Sequence, residues 1–219
     1  MGKPLAIDIC CGLGGWTDGL LAEGWDVIGF DIGNHQYGEH RYRGQLVIQD
    51  VLTLHGSQFR DAALIVASPP CQFFSYCAMP WSRAKALARE VEADIERLEK
   101  ELALFKACFR IQREASDAAG HHIPMVVENV CGAQRWVGRA RWNCGSMFLW
   151  GDTPALMPDY FHVKCGGIDW NKFNRGILKG DAFNHQVAKT KKASAALTAR
   201  IPFILARHIA AVYWPRTLT

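Results

Sequence analysis

Apolar residues in this chain gather in short, nearly continuous runs: Leu5-Ala6-Ile7-Asp8-Ile9-Cys10, Asp26-Val27-Ile28-Gly29-Phe30-Asp31, Gln45-Leu46-Val47-Ile48-Gln49, Ala63-Leu64-Ile65-Val66 and Ile123-Pro124-Met125-Val126-Val127. Runs of this length, bounded by Gly, Pro, Asp or Asn, predict strands, the last two of them buried. Between them the period changes. Trp16, Leu20 and Leu21 give Trp16–Gly24 one apolar face, which predicts a short helix. Leu87, Val91, Ile95, Leu98, Leu102, Phe105 and Phe109 form a stripe at spacings of three and four. With Ser82 as N-cap and Gly120 as terminator, the stripe predicts one long helix over 82–119. Strand, glycine turn, helix, strand is the opening of a nucleotide-binding α/β domain.

The polar residues that end these runs carry the chemistry, because ligands of open α/β sheets collect at the carboxyl edge of the strands. The first run leads into Cys11-Gly12-Leu13-Gly14-Gly15, where glycines let backbone approach a ligand. Thr17 stands where the dinucleotide fingerprint would have its third glycine, so a pyrophosphate on this helix is not expected. Asp31 ends the second run and is placed to accept from ribose hydroxyls, although an Asx turn with Gly33 and Asn34 would use it equally. Asp50 follows the third run and could accept from an adenine amino group, with Val51 and Ile32 flanking the ring. The fourth run ends in Ser68-Pro69-Pro70-Cys71-Gln72, a stiff turn that delivers Cys71 to the same edge. Cys71 is the candidate nucleophile; the competing reading is a small buried hydrophobe, the common fate of a free cysteine. The fifth run ends at Glu128, whose carboxylate needs a partner or a raised pKa at such a position.

Taken together, Asp8-Ile9-Cys10-Cys11-Gly12-Leu13-Gly14-Gly15, Asp31, Asp50, Pro70-Cys71-Gln72 and Glu128-Asn129-Val130 resemble the ordered motifs of the C5-cytosine DNA methyltransferases. The resemblance covers roughly residues 5–130 and the C-terminal helix. It implies a Rossmann-like α/β fold and S-adenosylmethionine as methyl donor, released as S-adenosylhomocysteine. The cofactor would lie along Asp8, Cys10, Gly12, Leu13, Gly14 and Gly15, with its ribose on Asp31 and its adenine near Ile32, Asp50, Val51 and Pro70. Cys71 would attack cytosine C6 with Glu128 assisting at N3, on a nucleotide flipped from duplex DNA. The family's Gln-x-Arg-x-Arg motif has its nearest match in Val137-Gly138-Arg139-Ala140-Arg141, which assigns Arg139 and Arg141 to the base and phosphates. The sequence departs from the family at Cys10, where a Phe is usual, at Val137, and in lacking the Asn-Ser lead-in to the closing helix, read here as Ala195–Val212 with Pro202 in its first turn.

Composition refines this. The surplus of +4 is concentrated: residues 133–192 hold ten Lys or Arg against four Asp, interleaved with Trp136, Trp142, Trp150, Tyr160, Phe161, Trp170 and Phe173. Basic groups among aromatics suit phosphate contact and base stacking. The expected organisation is a catalytic domain over 1–141, a small recognition lobe over 142–192 and a helix within 193–219 that returns to the catalytic domain. A lobe so short predicts a short or degenerate target sequence. The eight cysteines are scattered and read as reduced thiols; His162-x-x-Cys165 lacks the second closely spaced pair that zinc requires, so no metal is expected. No run approaches a membrane span and the N-terminus enters a strand directly, so a cytoplasmic protein is expected. Two rivals stand beside DNA methylation. One is an RNA or tRNA cytosine-C5 methyltransferase using the same Cys71 and Glu128; the other is a catalytically silent DNA-binding module.

Overall fold

The computed structural model describes residues 2–75, 81–157, 196, 197 and 199–215. Its centre is a seven-stranded sheet built from β1 (Leu5–Ile9), β2 (Asp26–Asp31), β5 (Gln45–Ile48), β6 (Leu64–Ala67), β7 (Met125–Asn129), β8 (Trp142–Cys144) and β9 (Met147–Gly151). The order is β5-β2-β1-β6-β7-β9-β8. The first five strands are parallel and the last two antiparallel. Strand order reverses between β1 and β6, the switch point at which doubly wound sheets open a crevice. This is a Rossmann-like α/β fold. Strands β1, β6 and β7 are buried without alternation because both of their faces are covered.

On one face Ala6, Leu64, Val66 and Val126 pack under α1 (Gly15–Ala22) and α5 (Phe203–Val212). On the other, Ile7, Ile9, Ile65, Ala67, Met125 and Val127 pack under α3 (Ile95–Ala119). Helix α3 offers Leu102, Phe105, Cys108, Ile111 and Ala115 to this core, and a short α4 (Gln134–Val137) follows β7. It is pinned to the loop after β5: Gly56 N donates to Glu114 Oε2 at 2.6 Å, and Arg110 donates to the Leu54 carbonyl at 2.8 Å.

Several expectations change. The predicted long helix is two, α2 (Trp81–Ala93) and α3, interrupted at Asp94, whose side chain accepts from Arg97 N at 3.0 Å and caps the second. Ser82 therefore lies inside the first turn. Ile95, a member of the predicted stripe, is 73% exposed, because the break resets the helical phase. The boundary expected at 142 falls within the sheet: Trp142–Gly151 forms the edge hairpin β8–β9 paired to β7. Residues 158–192 of the expected recognition lobe lie outside the described residues, as do His162 and Cys165. The closing helix begins at Phe203 because Pro202 is extended, at φ −59° and ψ 132°, and acts as N-cap. Between β2 and β5 the chain forms a small hairpin, β3 (Gln36–Tyr37) and β4 (His40–Arg41), that the sequence pattern did not announce. Among the described residues no helix is long and apolar enough to cross a membrane.

Helices α1 and α5 meet almost backbone to backbone at Gly19, where an added Cβ would collide with Ala206 and the Arg207 amide. The crossing is flanked by Trp25 Nε1 donating to the Ala210 carbonyl at 3.1 Å and Arg207 pairing with Glu23 at 2.6 Å. Gly19→Val is expected to lower unfolding free energy by about 3 kcal/mol, the upper part of the usual overpacking range. Gly2→Ala, with open space around it, is expected to change nothing in the same urea titration.

Candidate active site

Parallel register carries the ends of neighbouring strands to one line. Ile9 pairs with Phe30 and Ala67, and Ala67 with Val127. The next residue of each strand therefore falls in the row Asp31, Cys10, Ser68, Glu128. Beyond Ser68 the chain runs through Pro69 and Pro70 to Cys71, which opens a turn closed by Phe74 N donating to the Cys71 carbonyl at 3.0 Å. Phe74 buries itself in the core on the α3 side, anchoring the turn. Asn129, fully buried at the end of β7, donates through Nδ2 to the Pro69 carbonyl at 2.9 Å. The Pro-Pro-Cys turn and the Glu-Asn strand end are thus tied to each other.

Cys71 is half-buried and Glu128 is 7% exposed. Burial pushes the Glu128 carboxyl up to about 8, opposed only by a hydrogen bond with Ser68. Burial also raises the Cys71 thiol, and the charge of the nearby Glu128 carboxylate raises it further. Near neutral pH the resting pair is a thiol beside a carboxylic acid. Ser68 Oγ accepts from Trp16 Nε1 at 3.0 Å, which ties the first turn of α1 to the residue beside Glu128 in the row. Ser68 was missed in the sequence. It precedes two prolines and has no motif signal of its own; only strand register places it beside Glu128.

The glycine turn is wound in left-handed conformation at Cys10 (φ 55°), Gly12 (φ 51°) and Gly14 (φ 75°). Asp31 holds it: Gly12 N donates to Oδ2 at 2.9 Å, while His35 Nε2 lies 2.9 Å from Oδ1. The Asx-type contact to Gly33 N is longer, at 3.4 Å. Asp8 is fully buried beneath the turn, with Oδ2 accepting from Thr17 Oγ1 at 2.6 Å and Oδ1 unpartnered. Burial pushes its carboxyl up to about 7. Thr17 Oγ1 is also 2.8 Å from Tyr42 Oη, and the Tyr42 ring lies against Gly14.

Whether an adenosyl cofactor fits can be read from what stands open. An added Cβ at Gly12 meets nothing, so the turn's backbone faces free space there. Ile32 is 75% exposed, and Asp50 and Pro70 are exposed at the same edge. Asp50 Oδ1 accepts from Leu52 N at 2.9 Å, which leaves Oδ2 available. Asp31 retains acceptor capacity beyond its present bonds. These groups fit a nucleoside. Val51 does not stand with them: it is turned into the core on the α3 side, so only Ile32 of the expected flanking pair faces outward. Cys10 likewise packs toward that core, half-buried, and Leu13 and Gly15 are buried. A cavity of about 760 Å³ adjoins the turn, lined by Leu13, Arg41, Tyr42, Arg43, Leu46 and Arg200 among others; Cys71 and Glu128 do not line it.

Arg139 and Arg141 are exposed on the loop entering β8, and neither forms an ion pair with a described carboxylate. Gln134 is not part of their row; its Oε1 accepts from Ala140 N at 3.1 Å and shapes the loop. Arg141 N donates to the Leu149 carbonyl at 2.8 Å, and Leu149 is the register partner of Glu128. That places Arg141 two strands from Glu128, about 10 Å at ordinary strand spacing.

No family model matches this chain, and no curated protein matches it in sequence. Solved structures with a similar arrangement include an E. coli prophage-encoded chain described as a DNA modification methyltransferase (22% identity, TM-score 0.41, covering 62% of this chain and 35% of that one). The S. pombe Dnmt2 methyltransferase is 17% identical with a TM-score of 0.38, covering 63% and 37%. The Entamoeba histolytica methyltransferase EhMeth is 15% identical with a TM-score of 0.40, covering 63% and 41%. The match spans less than half the length of each.

The buried carboxyls make stability depend on pH. Asp8 and Glu128 have folded-state pKa values raised above the ordinary 3.8 and 4.5, to about 7 and about 8. Between those limits the folded protein holds more protons than the unfolded chain, so stability falls as pH rises. Urea unfolding at pH 5, 6.5 and 8 is expected to show a decline on the order of a few kcal/mol. Glu128→Gln should remove its share of that slope, and a wild-type profile flat over this range would contradict the assignment.

Proposed function

We propose that the chain is a methyltransferase acting at C5 of cytosine in DNA, with S-adenosylmethionine as donor. The observation that carries this reading is the pairing, at one sheet edge, of a half-buried thiol with a buried carboxyl whose burial keeps it protonated. Cytosine C5 is a poor nucleophile while the ring is conjugated. A thiolate adding at C6 breaks that conjugation and makes C5 enamine-like, which divides one hard step into easier ones.

The residues have separable tasks. Cys71 gives up its thiol proton to solvent and forms the Sγ–C6 bond, as the C5–C6 π electrons move into the ring. Glu128 gives its proton to N3, neutralising the charge that addition creates. A protonated Glu128 also removes the carboxylate that opposes thiolate formation at Cys71. Bound S-adenosylmethionine supplies an electrophilic methyl group, and Gly12, Asp31, Ile32, Asp50 and Pro70 would hold it. After methylation the C5 proton leaves to a base, the Sγ–C6 bond breaks to restore the double bond, and N3 returns its proton to Glu128. The target nucleotide must leave the duplex stack for this chemistry, at a cost of a few kcal/mol. Arg139 and Arg141, exposed and without described carboxylate partners, would take flanking phosphates.

The test is covalent capture. Duplex DNA carrying 5-fluorocytosine, incubated with the protein and S-adenosylmethionine, is expected to give a denaturation-resistant adduct that Cys71→Ser abolishes. With ordinary DNA and radiolabelled donor, Glu128→Gln should slow transfer roughly 10²- to 10⁴-fold. Label entering tRNA alone would move the substrate to RNA. Binding of DNA with neither adduct nor label would reduce the protein to a silent module.

A further inference from the structure

The cavity beside the glycine turn has no part in the chemistry above. It measures about 760 Å³, and none of Gly12, Asp31, Ile32, Asp50 and Pro70, the groups that would hold the methyl donor, lines it. Its charge comes from two stretches far apart in sequence. Around Tyr42 burial alternates: Tyr42 is buried and bonded to Thr17 under the glycine turn, whereas Arg41 and Arg43 on either side of it are exposed. Register sets Gln36 opposite Arg41 in the β3–β4 hairpin, so these two share a face. Arg200 arrives from the segment before α5, which lies so close to the start of α1 that an added Cβ on Gly15 would strike the Ile201 amide. All three arginines line the cavity, with Glu39 the one carboxylate of the lining.

Asp18 of α1 steadies two of the three. Its side chain is 9% exposed and pairs with Arg200, while Arg43 Nη1 stands 3.7 Å from Oδ1, too far for a hydrogen bond. Arg41 has no carboxylate partner among the described residues. A guanidinium carries five N–H donors, so even Arg200 keeps donors beyond its pair with Asp18. A single carboxylate is satisfied by one such fork. Three forks around one space suit a group with three or more acceptor oxygens, which is what a phosphate ester offers. The volume falls within the range of small-molecule sites and exceeds what a phosphate alone fills. Leu13 and Leu46 supply apolar lining for the remainder of such a ligand, and the Asn34 and Gln36 amides supply hydrogen-bonding groups.

We propose that this cavity is a phosphate-ester site, in which Arg41, Arg43 and Arg200 grip the phosphate of a nucleotide, free or within a strand. The proposal needs neither Cys71 nor Glu128, and it stands apart from the cytosine reading.

Two probes without cytosine test it on the full chain, with no methyl donor present. One is a short fluorescein-labelled duplex of A·T pairs only, followed by anisotropy; the other is deoxyadenosine monophosphate, followed by calorimetry. Arg41→Gln/Arg43→Gln is compared with Lys3→Gln/Arg60→Gln, which removes the same charge from exposed positions outside the cavity. The cavity variant is expected to bind at least one probe about tenfold more weakly than the control variant, the effect of a lost charge-assisted hydrogen bond. Weakening on the duplex alone, with the slope of log K against log salt reduced by about 0.9, places a strand phosphate in the cavity. Weakening on the monophosphate alone makes the ligand a free nucleotide, and weakening on both supports the site equally. Arg41→Gln alone repeats the comparison if the double variant does not fold, because that side chain has no described carboxylate partner to lose. The proposal is overturned if wild type binds neither probe, or if cavity and control variants bind both alike. It is also overturned if the cavity variant weakens S-adenosylmethionine instead, which would make the cavity part of the donor's site. Absence of methyl transfer would leave these binding results as they are.

Discussion

Parallel pairing of β1, β6 and β7 in a single register is the constraint from which the rest follows. Because Ile9, Ala67 and Val127 lie side by side, the residues that leave the sheet do so together, and Cys10, Ser68 and Glu128 arrive in one row without long side chains to bridge them. A slip of one residue in β7 would send Glu128 to the α3 face and bring Asn129 or Val127 in its place. Nothing in the turns could repair that. The apolar continuity of the three strands, covered on both faces, therefore serves the chemistry as much as the core.

The second feature is the price of placing acids inside this arrangement. Asp8 and Glu128 both sit where water cannot solvate a charge, and both respond by holding protons that ordinary carboxyls release. They differ in company. Asp8 has Thr17 and, through it, Tyr42, a network beneath the glycine turn that ties α1 to the chain before β5. Glu128 has Ser68 and the neighbouring thiol. One carboxyl is buried under the turn and supports it; the other lies next to the only cysteine that the Pro-Pro turn presents at the edge.

Much of this was legible in the sequence, for a physical reason. Strands β1, β2, β5, β6 and β7 are short apolar runs ended by turn-forming or acidic residues, and such runs have little alternative use. The residues at their ends, Asp31, Asp50, Cys71 and Glu128, followed directly. What failed were features that depend on neighbours distant in sequence. Trp142–Gly151 reads as part of a basic, aromatic stretch, and only antiparallel pairing with β7 reveals it as sheet. The apolar stripe runs without interruption through Ile95, so the break at Asp94 has no periodic signature. The bonds by which Asp31 braces the glycine turn, to Gly12 N and His35, likewise had no signal in the run that it ends. Val51 looked like a partner for Ile32 because both follow strands, yet it turns into the core. Ser68 became visible only when strand register set it beside an acid.

The interruption at Asp94 has a mechanical consequence. Helix α3 is seated by its core residues and by the Arg110 and Glu114 contacts to the loop after β5, whereas α2 is joined to the body through Val91, Ala88 and the Arg135–Glu92 pair. A continuous rod would transmit any change in the chain after Cys71 straight into the core. With a separately capped second helix, α3 keeps its own seat against the sheet whatever the length of the helix before it, and the alignment of the strand ends is left undisturbed.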